Sequence, residues 1–360
     1  MRIVYQSFEG RYSDNPRALH EALMRQGDLH EHVWLADPRH LGEFPVGVET
    51  VPYGGAACIA VLESADLVIA NTHTDLPWTK KPGATYLQTW HGTPLKRIHW
   101  DVLWAPGGRL DRLQGDVDQW DLLVSPNPFA TEAMRGAFRY AGEVLETGYP
   151  RNDRLLAADR DEVRARVRAQ LGVPDRATAV LYTPTWRDDF VFAGGDDALE
   201  LHLDVAAFDA RLGADHVLLL RTHYMLTGRL GALAHPSVRD VSAHPEVGEL
   251  YLAADVLVTD YSSTMFDFAI TGRPQAFFAY DLEHYRSQQR GFYLDFEPEV
   301  PGPVAETTED LLAALEDLDG LRERYAGRYA RFRERFTALE DGRASERVLE
   351  RLGLIAPAAA

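Results

Sequence analysis

Residues 253–291 read AADVLVTDYSSTMFDFAITGRPQAFFAYDLEHYRSQQRG, and this stretch decides the fold. A short apolar run at 256–258, bounded by polar residues, predicts a buried parallel strand. The apolar set within 265–269 suits a helix that ends near Gly272, and the run 276–280 predicts a second strand. The order is therefore strand, hydroxyl-rich turn, helix and strand.

The turn between the first strand and the helix carries three successive hydroxyl groups after Asp260, namely Ser262, Ser263 and, at the helix start, Thr264, with Tyr261 before them. A helix N-terminus leaves backbone N–H groups unpaired and its macrodipole favours an anion. One interpretation is a phosphate-binding turn. The other is an ordinary serine cap with polar neighbours.

Composition limits the class of protein. The chain has 360 residues with 46% hydrophobic and 26% charged residues, which is typical of a soluble globular protein of about two domains. A net charge of −18 argues against broad nucleic-acid binding. The single cysteine, Cys58, excludes an intrachain disulfide and fits a reducing compartment. Neither a signal-peptide core nor a membrane-spanning apolar run is present, so we expect a cytoplasmic protein, or one peripheral on the inner face of a membrane.

Strand and helix patterns alternate along the chain, which predicts an α/β fold with parallel sheets covered by helices. Predicted strands are residues 2–7, 32–35, 67–70, 85–89, 122–124 and 144–147, then 179–182, 217–220 and 238–241. Predicted helices are 16–25, 57–62, one starting near 94, 130–140, 162–171, 205–212 and 246–253. The Gly148–Asp153 turn motif suggests a domain boundary. We expect domains at 1–150 and 151–307, with helices at 308–360 that pack back on them.

The last section contains an aromatic stripe, Tyr325, Tyr329, Phe332 and Phe336, at helical spacing. Arginines surround it at positions 322, 324, 328, 331, 333 and 335. The stripe predicts an amphipathic helix packed on the domains. The alternative is an interfacial helix that contacts anionic lipid.

Polar clusters follow several predicted strands, at the edge where open α/β sheets bind ligands. In QTWHGTPLK, residues 88–96, His91 follows a strand beside Gly92 and has a side chain suited to accept a proton. Lys96 would lie in the first turn of the next helix, which the helix dipole disfavours unless an anion is bound.

Three more clusters have the same position. They are YTPTWR at 182–187, RTH at 221–223, which suits a diphosphate, and RND at 151–153 at the predicted hinge. Asp267 lies one helical turn after Ser263, where it would accept hydrogen bonds from substrate hydroxyls or face solvent. The chain contains no GxxxxGK[ST], GxGxxG or HExxH motif and no acidic spacing that specifies a metal.

Together these segments resemble the CDP-glycerol glycerophosphotransferases of teichoic-acid and capsule biosynthesis. The resembling segments are GRYSDNP at 10–16, QTWHGTPLK at 88–96, GYPRND at 148–153, YTPTWRDD at 182–189, RTHY at 221–224, ELYLAADVLVTDYSSTMFDFA at 249–269, YDLEHY at 280–285, RGFYLD at 290–295 and PGPV at 301–304. They span nearly the whole chain, and the WHGTPLK and TDYSS…FDFA segments together are specific.

The resemblance implies a GT-B fold of two Rossmann-like domains facing across a cleft. It implies a CDP-glycerol donor, an acceptor hydroxyl on a polyol-phosphate or lipid-linked glycan, release of CMP and no required cofactor. It makes His91 the general base and adds His223 as a second catalytic candidate. The implied donor contacts are Trp90, Gly92, Thr93, Pro94, Arg151, Pro184, Thr185, Arg221, Thr222, His223, Ser262, Ser263 and Asp267. Asn15, Lys96, Arg187 and Arg290 are candidates for the acceptor side or the cleft.

Alternatives remain open at this point. The donor is CDP-ribitol in one of them, and the enzyme is a GT-B glycosyltransferase using a nucleotide sugar in another. A third is a nucleotide-binding protein without catalysis. The charge of −18 departs from the basic surfaces of relatives that act on lipid-linked acceptors, so membrane contact would depend on the arginine-rich C-terminal helix.

Overall fold

The structure, a computed structural model, describes residues 1–103, 105, 107–185, 201–222, 235–289 and 291–357. The chain forms two compact units. Unit 1 comprises Met1–Thr93, Ile98–Leu156 and Ala338–Ala360, and unit 2 comprises Pro94–Arg97 and Ala157–Thr337. The main division along the chain therefore falls between Leu156 and Ala157, and the C-terminal segment belongs to unit 1.

Unit 1 is built on a parallel sheet that has seven strands within the described residues. They are β1 (Arg2–Gln6), β2 (Glu31–Ala36), β3 (Glu49–Pro52), β4 (Leu67–Ala70), β5 (Thr85–Gln88), β6 (Leu122–Ser125) and β7 (Glu143–Glu146). Their order is β3-β2-β1-β4-β5-β6-β7, so the direction of winding reverses between β1 and β4. That reversal is the switch point at which doubly wound sheets bind ligands.

Helices cover both faces of this sheet. They are α1 (Asp14–Arg25), α2 (Gly55–Ser64), α3 (Arg109–Val117) and α4 (Pro128–Phe138), with 3₁₀ segments at Pro38–Glu43, His99–Asp101 and Pro150–Leu156. Alternate residues of β1 enter different cores: Val4 packs with one apolar cluster, and Ile3 and Tyr5 pack with the other. Burial on both faces explains why the central strands are continuous apolar runs.

Unit 2 repeats the plan with a parallel sheet that has six strands in the part of the chain the structure describes. They are β8 (Thr178–Thr183), β9 (His216–Leu220), β10 (Val238–Asp240), β11 (Val256–Thr259), β12 (Gln275–Phe278) and β13 (Val304–Ala305). Their order is β10-β9-β8-β11-β12-β13, and the winding reverses between β8 and β11.

The helices of unit 2 precede or follow these strands. They are α5 (Arg160–Gln170), α6 (Val205–Leu212), α7 (Val247–Ala253), α8 (Thr264–Ala269), α9 (Leu282–His284), α10 (Phe296–Glu299), α11 (Thr308–Glu316) and α12 (Leu318–Phe336), with a π-helical turn at Tyr285–Gln289. A final helix, α13 (Ala344–Arg351), belongs to unit 1, where Val348 and Leu349 join the core under β1.

The aromatic stripe of α12 faces the interior of unit 2. Phe332 stacks on Phe266 of α8 with ring centroids 5.3 Å apart, and Phe336 meets the same ring edge-on at 4.9 Å. The Tyr329 hydroxyl donates to the Arg273 carbonyl at 2.7 Å. Several of the arginines pair with acidic groups, as Arg322 does with Asp319, Arg324 with Asp317 and Arg335 with Glu299. The stripe is therefore packed, and these guanidinium groups already have acidic neighbours.

The alternating pattern predicted the α/β architecture, which the structure confirms: two doubly wound parallel units, the composition of the GT-B class. It missed β3, β13, α3, α9 and α10, and it was wrong about a helix starting at Pro94. Residues there belong to no helix until the 3₁₀ segment His99–Asp101.

Candidate active site

The loop after β5 carries the histidine that the sequence singled out. Trp90 has φ +50° and Gly92 has φ +156°, so the backbone turns sharply on both sides of His91. The His91 ring stacks on the Trp90 ring with centroids 4.3 Å apart and lies 5.5 Å from the Phe8 ring. A tryptophan rarely adopts a left-handed conformation, which marks the loop as strained.

The surroundings of His91 keep its imidazole neutral. Burial lowers the pKa of His91 to about 4, with Asp14 acting in the opposite direction and Arg151 and His73 acting with burial. At physiological pH the ring therefore has a free lone pair. It is in the protonation state that a general base requires before reaction.

Thr93 ends the unit 1 part of this loop. Its side chain is buried, and its hydroxyl accepts a hydrogen bond from Asn127 Nδ2 at 3.3 Å. Asn127 also caps α4 by accepting from the Ala130 N–H. Thr93 thus ties the loop to α4.

Pro94 to Arg97 forms an extended segment that packs within unit 2. Lys96 makes an isolated antiparallel bridge with Phe292, and the Tyr293 N–H donates to the Leu95 carbonyl at 2.9 Å. The Lys96 ammonium lies 5.8 Å from the centre of the Tyr285 ring, a cation–π distance. The expected conflict between Lys96 and a helix dipole does not arise, because backbone pairing to 291–293 replaces the helix.

The RND segment at 151–153 contacts unit 1 residues. Arg151 Nη1 donates to the His91 carbonyl at 2.7 Å and to Asp14 Oδ2 at 2.5 Å. Asn152 Nδ2 donates to Glu340 Oε1 at 3.0 Å, and both Asp153 oxygens accept backbone N–H groups at the start of α13. The motif therefore connects α1, the histidine loop and the C-terminal helix α13 to one another within unit 1.

In unit 2, several candidate residues lie at the switch point between β8 and β11. Pro184 and Thr185 follow β8, and Asp260 follows β11. Asp260 Oδ1 accepts the Thr185 N–H at 2.8 Å and the Tyr261 N–H at 2.7 Å. This buried carboxylate fixes the two strand-end loops relative to each other.

Threonine hydroxyls reinforce the same junction. Thr183 Oγ1 donates to Thr259 Oγ1 at 3.0 Å and lies 3.2 Å from Thr264 Oγ1. Thr259 is fully buried and Thr183 nearly so. The cluster joins β8, β11 and the first residue of α8 through side chains that the apolar pattern does not reveal.

Ser262 and Ser263 lie in the turn before α8 and are partly exposed. The Ser262 hydroxyl accepts the Thr264 N–H at 3.3 Å, and the Met265 and Phe266 N–H groups bond to the Ser262 and Ser263 carbonyls. The expectation of unpaired amides at this helix start was wrong for these three groups, because the turn itself uses them. With α8 only 6 residues long, an anion here would depend on the hydroxyl groups more than on the helix dipole.

Arg221 and Thr222 follow β9. Arg221 Nη1 donates to the His244 carbonyl at 2.6 Å, and the Thr222 N–H donates to Ser242 Oγ at 2.9 Å. Both residues therefore hold the loop after β10. Asp267 is only 4% exposed, so the alternative that it faces solvent was wrong. His223, Arg187 and Arg290 lie outside the described residues.

Two residues that organise the site were not predicted from the sequence. Asp14 pairs with Arg151 beside the histidine loop, and Asp260 joins β8 to β11. Each lies within a segment that had been singled out, GRYSDNP or TDYSS, so position along the chain was the available signal. Among the described residues, no group of three or more His, Cys, Asp or Glu side chains is arranged to bind a metal. The same residues contain no helix with the length and hydropathy needed to span a membrane.

Comparison with known proteins gives the family of this chain. The family model of CDP-Glycerol:Poly(glycerophosphate) glycerophosphotransferase matches residues 1–354. A teichoic acid glycerol-phosphate transferase of Staphylococcus aureus is 38% identical over 97% of this chain and 92% of its own length. The solved structure of an H-to-A variant of the wall teichoic acid polymerase TagF superimposes with a TM-score of 0.90 at 35% identity, covering 98% of this chain and 88% of that one. A His-to-Asn variant of TagF soaked with CDPG matches over the same shares, with a TM-score of 0.89 at 34% identity. This chain therefore belongs to the CDP-glycerol:poly(glycerophosphate) glycerophosphotransferase family.

Proposed function

We propose that this protein transfers glycerol phosphate from CDP-glycerol to an acceptor hydroxyl of a teichoic-acid or capsule-type polymer and releases CMP. Family membership over residues 1–354 is the observation that carries the proposal. The similarity to a TagF variant that was soaked with CDPG supports the choice of donor.

The donor half of the proposal rests on unit 2. Its switch point presents the partly exposed hydroxyls of Ser262 and Ser263, and Arg221 and Thr222 follow the neighbouring strand β9. Hydroxyl and guanidinium donors stabilise phosphate oxygens, and phosphoryl transfer depends mainly on such positioning and charge stabilisation. We assign the diphosphate to these residues, and the donor's polyol to the side of Asp267.

The proton-transfer half rests on His91. In the proposed step the acceptor oxygen forms a bond to the phosphorus that carries glycerol, and its proton moves to a His91 ring nitrogen. The phosphoanhydride bond breaks and its electrons leave on CMP. The step balances without a cofactor, and a neutral imidazole is the form that accepts the proton.

The acceptor and the location are further parts of the proposal. We propose a polyol-phosphate or lipid-linked glycan acceptor and a cytoplasmic enzyme, with any membrane contact through the exposed arginines of α12. Their acidic partners weaken such contact, so we expect little binding to anionic vesicles at physiological salt.

The proposal is tested by CMP release with CDP-glycerol and lipid-linked disaccharide acceptors, with and without a first glycerol phosphate. We expect His91→Ala to lower kcat about 10²–10⁴-fold while CDP-glycerol still raises its thermal stability. His40→Ala, which removes a histidine paired with Glu43, is the matched control and keeps full activity. Equal turnover in wild type and His91→Ala would exclude His91 as the base.

A ligand panel separates the alternative donors. Stabilisation by CDP-glycerol but not by UDP- or GDP-sugars supports the proposal, and the reverse would favour a glycosyltransferase. A stronger effect of CDP-ribitol would change the donor and leave the reaction type intact. Binding of CDP-glycerol without CMP release from any acceptor would indicate a protein without catalysis.

A further inference from the structure

The backbone on both sides of the His91 α-carbon is held by side chains from elsewhere in unit 1. The Trp90 carbonyl, in the peptide group before His91, accepts a hydrogen bond from Asn15 Nδ2 at 3.0 Å. The His91 carbonyl, in the peptide group after it, accepts from Arg151 Nη1 at 2.7 Å. Because each peptide group is planar, fixing both of them fixes the direction in which the imidazole leaves the backbone.

The two holding residues are also joined to each other. Asn15 Oδ1 accepts the Arg151 backbone N–H at 3.0 Å, and Arg151 Nη1 donates to Asp14 Oδ2 at 2.5 Å. Asn15 is fully buried, and the side chains of Arg151 and Asp14 are 9% and 7% exposed. Water therefore has little access to replace any of these bonds if a partner is removed.

The network holds a conformation that the chain would not favour alone. Trp90 at φ +50° and Asp14 at φ +62° are both left-handed. Each such residue costs about 1–3 kcal/mol and persists where surrounding contacts over-determine it. Two residues of one hydrogen-bond network beside His91 are therefore strained, which indicates that the network positions this histidine.

Charge in the network is balanced around the imidazole. The charged or titratable groups that act on His91 are Asp14 from α1, Arg151 from the 3₁₀ segment Pro150–Leu156, and His73 from the segment after β4. Asp14 favours a protonated ring and Arg151 opposes it. The ion pair therefore adds little net charge, while the carboxylate remains near an imidazolium formed during reaction.

We infer that Asp14, Asn15 and Arg151 are positioning residues for His91, which act through its backbone and its electrostatic surroundings. The inference rests on the proposed function in treating His91 as the base. It gives Arg151 and Asn15 a role different from the donor and acceptor contacts that the family resemblance implied.

Steady-state CMP release and CDP-glycerol binding distinguish the two roles. For Arg151→Lys, whose single ammonium lacks the guanidinium fork, we expect kcat to fall about 10–100-fold, as a misplacement of about 1 Å does. Asn15→Ala should behave likewise. In both, the thermal shift caused by CDP-glycerol and the KM for the donor stay within about twofold of wild type. A direct donor contact predicts the opposite, weaker donor binding with kcat retained, and that result would overturn the inference.

A readout independent of activity is the NMR signal of the His91 ring. We expect its chemical shifts to change in Arg151→Lys and Asn15→Ala, and its pKa to fall further in Asp14→Asn, which removes the carboxylate and leaves the guanidinium. Unchanged His91 signals in folded variants would refute positioning even where kcat falls.

Arg168→Lys provides the matched control. Arg168 is a buried arginine that also donates to backbone carbonyls and to an aspartate, but in unit 2. It should lose stability without a change in kcat. If His91→Ala keeps full turnover, the proposed function fails. If His91→Ala is inactive and Arg151→Lys has normal kcat with normal His91 signals, the positioning inference alone fails.

Discussion

Replacing Asp260 by alanine should separate the two loops that form the switch point of unit 2. Asp260 is 1% exposed, and its Oδ1 accepts the N–H groups of Thr185 and Tyr261. A hydrogen bond to a charged acceptor contributes about 1.5–3 kcal/mol net, so the two together contribute about 3–6 kcal/mol. Thr185 is partly exposed and can recover a water, whereas Tyr261 is fully buried, so we expect a loss near the lower value, about 3 kcal/mol.

Thermal unfolding, followed by a signal that reports on unit 2, measures this loss of stability. For a unit of this size each kcal/mol shifts Tm by about 2–4 °C, so Asp260→Ala should lower it by about 6–12 °C. Asp204→Ala, which removes an exposed cap from α6, serves as control and should cost about 1 kcal/mol. A shift below about 3 °C for Asp260→Ala would refute the assignment of Asp260 as the link between β8 and β11. The variant should also lose stabilisation by CDP-glycerol, because Ser262 and Thr185 no longer keep their spacing.

Two further predictions concern unit 1. Burial lowers the pKa of His20 and of His99 to about 4. Between pH 6.5 and 4 the unfolded chain therefore binds more protons than the folded chain, and the free energy of unfolding decreases as the pH is lowered. At pH 5 each histidine lowers it by about 2 kcal/mol. Urea unfolding at pH 7.5 and 5.0 measures this loss of stability. His99→Phe should reduce the pH dependence of stability, and equal stability of the wild type at both pH values would contradict the prediction. Gly10→Ala should cost about 3 kcal/mol, because φ is +127° and the new Cβ would lie 2.1 Å from the Asp37 nitrogen. Gly27→Ala, at φ +72° with open space around it, should cost about 1 kcal/mol, and equal losses in the two variants would show that the close approach at Gly10 is not the cause.

The central strands of both units could be predicted from sequence because burial on both faces makes them short apolar runs, whereas β3, which has no buried residue, was missed. The stretch 256–258 became β11, and the apolar set after the hydroxyl turn became α8. The helix at Val205–Leu212 was predicted with its observed bounds. These elements could be predicted because their local sequence pattern alone determines them.

The error at Pro94 has a long-range cause. Proline after a polar turn is typical of a helix start, yet residues 95–97 bond to the backbone of 291–293, almost 200 positions later. No periodicity in the local sequence records that partner. The same reason hid the role of Asn152, whose amide reaches Glu340.

Ligand-edge positions were easier to predict than the chemistry of each residue there. The carboxyl ends of β5, β8, β9 and β11 were identified as polar clusters, because parallel strands present their ends at one edge. Which side chains face outward and which hold loops depends on partners distant in sequence. Arg151 was predicted to contact the donor and Asp260 was given no role, yet both donate or accept hydrogen bonds within the protein.

Some residues of each motif are candidates for ligand contact and others support the loops, so the motifs are longer than ligand contacts alone would require. In TDYSS, Asp260 holds the loops while Ser262 and Ser263 remain partly exposed. In the histidine loop, Thr93 ties the chain to α4 while His91 carries the proposed chemistry. A strained loop stays in place only if its supports are kept along with its reactive group. A related chain that kept the histidine and the serines but lost Arg151 and Asp260 would therefore retain the reactive groups without the geometry they need, and its similarity at the reactive positions alone would be a poor guide to activity.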